Sequence, residues 1–286
     1  MNASGPTAGL SLLSAMCWGG SDFAGGLGAR RAPALLVATS GQFVSLFLLA
    51  GLCVAMRPPM PGTHPLFFAA VGGFEGAVAL AVFYRALAMG AMGLTAALTG
   101  LLTAILPVLF SFLHDGLPTP LIVAGLALGL LAIWLITRTP QTTGSPATPS
   151  AVVSKALFLG ALAGVGFGTQ LILFKFASQG GILWPITVAR AAGCAAMMLS
   201  LVAMPPRGAW RGFWITGICA GVFDTIGNLF YLRATQLGRL DVAALICSLY
   251  PAGTILLASL ILRERPTRRQ LAGIALALTA VLLLST

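Results

Sequence analysis

Phe223-Asp224-Thr225-Ile226-Gly227-Asn228-Leu229-Phe230-Tyr231-Leu232-Arg233-Ala234, running on to Gly238, decides the fold because the chain contains it twice. The first copy runs from Phe74-Glu75 through Phe83-Tyr84-Arg85-Ala86 to Gly90. Each is an apolar helix with one carboxylate, an aromatic pair, an arginine near its end and then a glycine turn. Arg85 falls on Arg233, an offset of 148, and the register holds beyond it. At that offset Gly90 meets Gly238, Ala96 meets Ala244, Leu101 meets Leu249, Ser111 meets Ser259, Pro118-Thr119 meets Pro266-Thr267, and Gly125 meets Gly273. Chance rarely aligns prolines, glycines and arginines over such a span, so the chain reads as two related halves.

Composition puts those halves in a membrane. The 286 residues are 58% hydrophobic and 8% charged, with a mean hydropathy of +0.98, whereas soluble domains carry roughly 25% charged residues. Glycines and prolines are scattered through apolar runs, as in polytopic helical proteins. The formal charge of +10 does not indicate nucleic acid, because the Lys and Arg residues lie mostly between apolar runs and no basic patch with interleaved aromatics occurs. Cys17, Cys53, Cys194, Cys219 and Cys247 each sit inside an apolar run without a CxxC partner or nearby His, and read as small buried hydrophobes. A cleaved signal peptide is not expected, since residues 1–9 hold no Lys or Arg.

The apolar runs cover about residues 8–27, 34–56, 66–89, 92–113 and 120–137, then 155–177, 184–204, 213–235, 240–262 and 267–284. Residues 138–154, polar and rich in Pro and Ser, form a linker between a first repeat (1–137) and a second (155–286). The expected fold is all-α and integral to the membrane, with ten transmembrane helices. Five helices per half is an odd number, so two related halves enter the bilayer from opposite sides as inverted repeats. Tyr250-Pro251 and Pro107 are expected to break the ninth and fourth helices.

Only six acidic residues exist, which makes their placement informative. Asp115, Asp241 and Glu264 fall at expected turns and need no function. Asp22, Glu75 and Asp224 fall within spans, where a charge costs about 2.5–3.5 kcal/mol on insertion scales and normally faces a bundle interior or a wet cavity. Asp224, Asn228 and Tyr231 form one polar stripe at i, i+4 and i+7, and Trp18 and Asp22 are one turn apart. Two readings follow. The carboxylates line a cavity as a proton or cation site, with Asp224 foremost, or they tie helices together through Arg190 or Lys175. Arg190 has a further option, reaching the interface or meeting an anionic substrate group. Gln170, Tyr250 and Thr99, on the Thr95/Thr99/Thr103 face, supply neutral hydrogen-bonding groups. The candidate cavity set is therefore Trp18, Asp22, Glu75, Thr99, Gln170, Arg190, Asp224, Asn228, Tyr231 and Tyr250. No HExxH, nucleophile elbow, Walker loop or His beside a nucleophile occurs, so neither an enzyme nor a metal or other cofactor is expected.

Trp18-Gly19-Gly20-Ser21-Asp22-Phe23, Tyr84-Arg85-Ala86-Leu87-Ala88-Met89-Gly90, Ser248-Leu249-Tyr250-Pro251-Ala252, and Leu262-Arg263-Glu264-Arg265-Pro266-Thr267 with Gln270-Leu271-Ala272-Gly273 resemble the EamA-like, ten-helix branch of the drug/metabolite transporter superfamily. The resemblance implies two five-helix inverted repeats around a central cavity that moves small metabolites, often outward. It carries over no catalytic motif. In the first half Asp115-Gly116-Leu117 replaces the Glu-containing turn, and Pro107 sits four residues later than the counterpart of Pro251. The expected function is secondary transport, by alternating access, of small organic metabolites such as amino acids, with export the expected direction. Proton-coupled efflux of cationic drugs or quaternary ammonium compounds is the alternative, and a lipid-carrier flippase subunit or non-transporting scaffold is a third. The expected partners are a small-molecule substrate and the lipid bilayer, with no nucleic acid. The protein is expected to act as a monomer in the inner or plasma membrane.

Charge also sets an orientation. With the N-terminus outside, the inner turns hold Arg30, Arg31, Arg85, Arg138, Lys155, Arg207, Arg211, Arg263, Arg265, Arg268 and Arg269, against Arg57, Lys175, Arg233 and Arg239 on the other side. Eleven against four is a strong positive-inside bias. The resemblance implies termini inside, so the two disagree. Charge predicts that a C-terminal fusion is phosphatase-active and not fluorescent when the reporters are a periplasm-active phosphatase and a cytoplasm-only fluorophore. The reverse pattern restores the family's orientation.

Overall fold

Lipid offers no water to the peptide group, so each apolar run must close its own hydrogen bonds and becomes a helix. The computed structural model describes residues 4–29, 31–87, 89, 92–137, 150–206, 212–263 and 266–285. Among these, eleven α-helices form and no strand: α1 (Ser4–Ala29), α2 (Ala34–Met56), α3 (Thr63–Leu87), α4 (Met92–His114), α5 (Pro120–Thr137), α6 (Ser150–Ala177), α7 (Leu183–Ala203), α8 (Phe213–Leu237), α9 (Leu240–Cys247), α10 (Tyr250–Ile261) and α11 (Arg268–Leu284). Six stretches are long and apolar enough to cross a membrane: Ala34–Met56, Thr63–Phe83, Val152–Gly180, Leu183–Ala203, Phe213–Leu237 and Leu240–Ile261. Leu98–His114 and Pro120–Ile136 are shorter apolar helices.

The stops are chemical. Arg57 closes α2 in the left-handed region (φ 47°) ahead of Pro58-Pro59, and Gly116 (φ 78°) turns the chain out of α4. Thr267 and Gln270 close a capping box at the start of α11, where the Thr267 N–H donates to Gln270 Oε1 at 2.8 Å. That box is the physical content of the Pro-Thr…Gln pattern in the sequence.

One expectation is met, one is corrected and a third is partly overtaken. As expected, the ninth run is interrupted at Tyr250-Pro251: Leu240–Leu262 is two helices, because Pro251 has no N–H to continue the ladder. Instead Leu249 N–H tightens onto Ile246 O at 3.1 Å, and α10 starts afresh with Pro251 in its first turn. Pro107, by contrast, does not break α4, which runs on through it. The linker expected over 138–154 is shorter, since residues 150–154 already belong to α6. Residues 138–149 and Glu264 lie outside the described residues.

Packing arranges the helices as a ring. In order around it come α1, α8, α2, α7, α3, α6, α4 and the α9–α10 unit, which returns to α1. The pair α5 and α11 packs outside, against the α4 and α9 flank. Lipid tails give helices no hydrophobic reason to associate, so small residues that admit close backbone contact hold the ring. A Cβ on Gly19 of α1 would lie 2.7 Å from Tyr250 O, and one on Gly73 of α3 would lie 2.6 Å from the Ala189 carbonyl carbon of α7. Gly221 of α8 meets Gly41 of α2 in the same way, 3.0 Å from its Cα. The last two contacts are related by the sequence offset, since Gly73 maps to Gly221 and Gly41 to Ala189. Gly221→Ala is therefore expected to cost about 1–3 kcal/mol through overpacking, read as a lower melting temperature in detergent. Gly51→Ala, where nothing lies within 4 Å, is the control and should leave it unchanged or slightly higher.

Candidate substrate site at the ring centre

Arg190 occupies the middle of α7 with only 9% of its side chain accessible. Its Nη2 lies 2.5 Å from Asp224 Oδ2 on α8, and its Nη1 donates to Gln42 Oε1 on α2 at 2.9 Å. Arg190 Nε has no partner among the described residues. Asn228 completes the carboxylate's shell, donating from Nδ2 to Asp224 Oδ1 at 3.0 Å and to the Asp224 carbonyl at 2.7 Å. Arg190 thus pairs instead of reaching for the interface, because a guanidinium cannot lose its proton and needs a counter-charge when buried.

Asp22 projects from α1 toward the same cluster. Ser14 and Ser21 pin α1 to α8 through bonds to Gly227 O (2.8 Å) and Ala220 O (2.9 Å). Asp22 lies close enough to Asp224 for the two charges to repel. Around the helix axis Asp22 sits about 20° from Ser11 and about 40° from Trp18. Ser11 and Ala15 on this face are buried, yet Asp22 and Gly26, further along it, are exposed. The ring interior is therefore packed toward the chain termini and opens from Asp22 toward the other end. The Asp22 carboxylate has no hydrogen bond or ion pair among the described residues.

Tyr231 and Trp18 close the packed side. Tyr231 is fully buried, donates to Leu171 O at 2.9 Å and holds its ring 5.6 Å from that of Trp18. Beyond them α9 is buried on every side. At that surface Lys175 Nζ donates to the carbonyls of Thr235 (2.8 Å) and Gly238 (3.3 Å), neutralising the C-terminal end of α8. Arg239 joins Asp241 at 3.0 Å and Gly116 O at 3.0 Å. A cavity of about 430 Å³ lies here, lined by Asp115, Lys175, Gln236, Leu237, Gly238 and Arg239. Asp115 is held below the usual carboxylate range. Burial pushes it up, but hydrogen bonds from Ser111 and His114, with Lys175 nearby, outweigh that.

The other candidates scatter. Glu75 on α3 lies by Gly166 of α6, and Gln170 lies against Gly76, so both line the α3–α6 side. Thr99 spends its hydroxyl on Gly160 O at 2.8 Å and packs α4 on α6. Tyr250 opens α10, its carbonyl oxygen against Gly19. The expectation that Asp241 falls at a turn is corrected. It begins α9 with no exposure and a bidentate arginine. Of the cysteines, Cys53, Cys194 and Cys247 are buried as expected, whereas Cys219 is exposed.

Gln42 was not among the sequence candidates, although the repeat offset points to it, since 190 − 148 = 42. The same subtraction maps Gln170 to position 22 and Asp224 to position 76. The site's polar positions are therefore Asp22 with Gln170, Gln42 with Arg190, and Gly76 with Asp224. Among the described residues no three His, Cys, Asp or Glu side chains gather as a metal site.

Residues 154–286 match the EamA-like transporter family. The second half of the chain is thus an EamA-like domain of the drug/metabolite transporter superfamily, whose members are transporters and not enzymes. A solved structure described only as "Crystal structure of protein" is similar in fold, with a TM-score of 0.75 at 18% identity over 97% of this chain and 95% of that one. No curated protein matches.

Removing one partner of a buried ion pair strands the other and costs about 3–5 kcal/mol. The cost should be smaller here, because 30% of the Asp224 side chain remains accessible. Arg190→Met should lower the detergent melting temperature, and Arg190→Met with Asp224→Leu should recover most of the loss. Additive losses in the double variant would show that the two residues do not stabilise each other.

Proposed function

We propose that the protein is a secondary transporter of small organic metabolites that works by alternating access, with export as its direction and the inner or plasma membrane as its site. The observation that carries this reading is the charge cluster of Asp22, Asp224, Arg190 and Gln42, inside a helix ring that is packed at one end and open at the other. A carrier needs a site reachable from one side at a time, with buried polar groups that the solute can engage.

Ten spans in two inverted five-helix repeats follow if α9 and α10 form one interrupted span. The packing supports this. Exchanging α1 with α6, α2 with α7, α3 with α8, α4 with α9–α10 and α5 with α11 returns the same ring. Under that exchange α1 against α8 becomes α6 against α3, and α2 against α8 becomes α7 against α3. The Arg190–Gln42 bond lies on the exchange axis, because each residue is the counterpart of the other.

The test is counterflow in proteoliposomes. Vesicles preloaded with unlabelled solute, chosen from amino acids, amines and related metabolites by thermal-shift screening, should accumulate labelled solute transiently and faster than empty vesicles. A flippase subunit or scaffold would show no solute-dependent exchange with any member of the screen.

A further inference from the structure

We infer that the central site selects solutes of net positive charge, and that Asp22 is its specificity-determining residue. The inference rests on the transporter reading above and names its substrate class.

The charges around the ring interior do not cancel. Asp22 and Asp224 bring two carboxylates to the α1–α8 side, and Arg190 brings one guanidinium. One Arg190 Nη holds Asp224 and the other holds Gln42, while its Nε is unpartnered but buried, in a side chain that is nine-tenths buried. An incoming anion reaches it only if the packing around it opens. Asp22 is the opposite case, being accessible from the open end and unpartnered among the described residues. It also lies in the field of a second carboxylate. A cation placed at Asp22 relieves that repulsion, whereas a carboxylate brought alongside adds to it. The ammonium of a zwitterion could dock there, but its own carboxylate would face Asp22 and Asp224, and the nearby cation, Arg190, is buried behind its Asp224 pair.

The repeat relation isolates the residue responsible. Position 170, the counterpart of Asp22, carries a neutral and longer Gln, and position 76, the counterpart of Asp224, carries no side chain. Both carboxylates thus belong to the α1–α8 side of the ring, while the α6–α3 side answers with Gln170 and Gly76. One aromatic side chain, Trp18, lies one turn from the accessible carboxylate on the same face of α1. Such a face favours an organic cation over a hydrated metal ion.

The test uses three probes with one skeleton and different charge: phenethylamine as the cation, phenylalanine as the zwitterion and 2-phenylethanol as the neutral form. Binding is measured by calorimetry on the purified full chain in detergent at pH 7. Phenethylamine should bind at least tenfold more tightly than either other probe. Asp22→Asn should abolish that preference, and Asp22→Glu, which keeps the charge, should retain it. The Glu variant also keeps the comparison informative if the Asn variant misfolds. Equal or tighter binding of phenylalanine or 2-phenylethanol, binding of none of the three, or an unchanged preference in Asp22→Asn would overturn the inference. Counterflow separates this result from the broader reading. Exchange of phenylalanine without cation preference would sink the charge selection and leave a transporter. Tight, Asp22-dependent amine binding with no exchange of any solute would do the reverse.

Discussion

A guanidinium keeps its proton under all ordinary conditions, so burying one inside a membrane protein forces the surroundings to answer it. Arg190 is that fixed charge, and much of the central architecture follows from it. Asp224 must stand on the facing helix, Asn228 must hold the second carboxylate oxygen, and Gln42 must fill the remaining Nη. To bring those groups within reach, α2 must run close to both α7 and α8, and it packs on both. The glycines at 41 and 221 permit the approach of α8 by omitting a Cβ where backbone meets backbone. Polar geometry and backbone proximity are one requirement stated twice.

The same cluster explains why the site is not symmetric although the packing nearly is. Two halves that share helix contacts place corresponding residues in corresponding surroundings. Asp22 and Gln170 therefore occupy related positions and differ in charge and by one methylene. The scaffold supplies the enclosure, and a few substitutions between the halves supply the field within it. Closure at the end near the termini is similarly one-sided. Lys175 holds the α8 carbonyls, but position 27, its counterpart, is a leucine that cannot.

Most helix boundaries were legible in the sequence because hydropathy and Pro or Gly stops are local signals. Ala34–Met56 and Pro120–Thr137 coincide with α2 and α5, and most other ends shift by a few residues. Partnerships were not legible, because they depend on which helices become neighbours. Asp224 stood out as a polar stripe, yet its pairing with Arg190 joins residues 34 apart on helices with no covalent reason to touch. Asp22 drew less notice than Asp224, although it is the accessible one, since accessibility reflects how the ring closes. Thr99 has the composition of a cavity residue and the position of a packing one. Asp241 reads as a loop carboxylate until Arg239 folds back on it. Pro251 and Pro107 look alike in sequence and differ in outcome, because the local ladder gives way at Ser248-Leu249 and not within α4.

The bond between Arg190 and Gln42 has a consequence for how such a chain could arise. On the proposed two-repeat arrangement the bond sits on the axis that exchanges the halves, where a residue meets its own counterpart. An ancestor assembled from two identical five-helix chains would have placed Arg against Arg or Gln against Gln there. The first arrangement sets like charges together in a dry interior, and the second leaves Asp224 without its cation. Neither could support the present cluster. On that arrangement the charged centre is younger than the packing around it, written after the two copies had separate sequences to change.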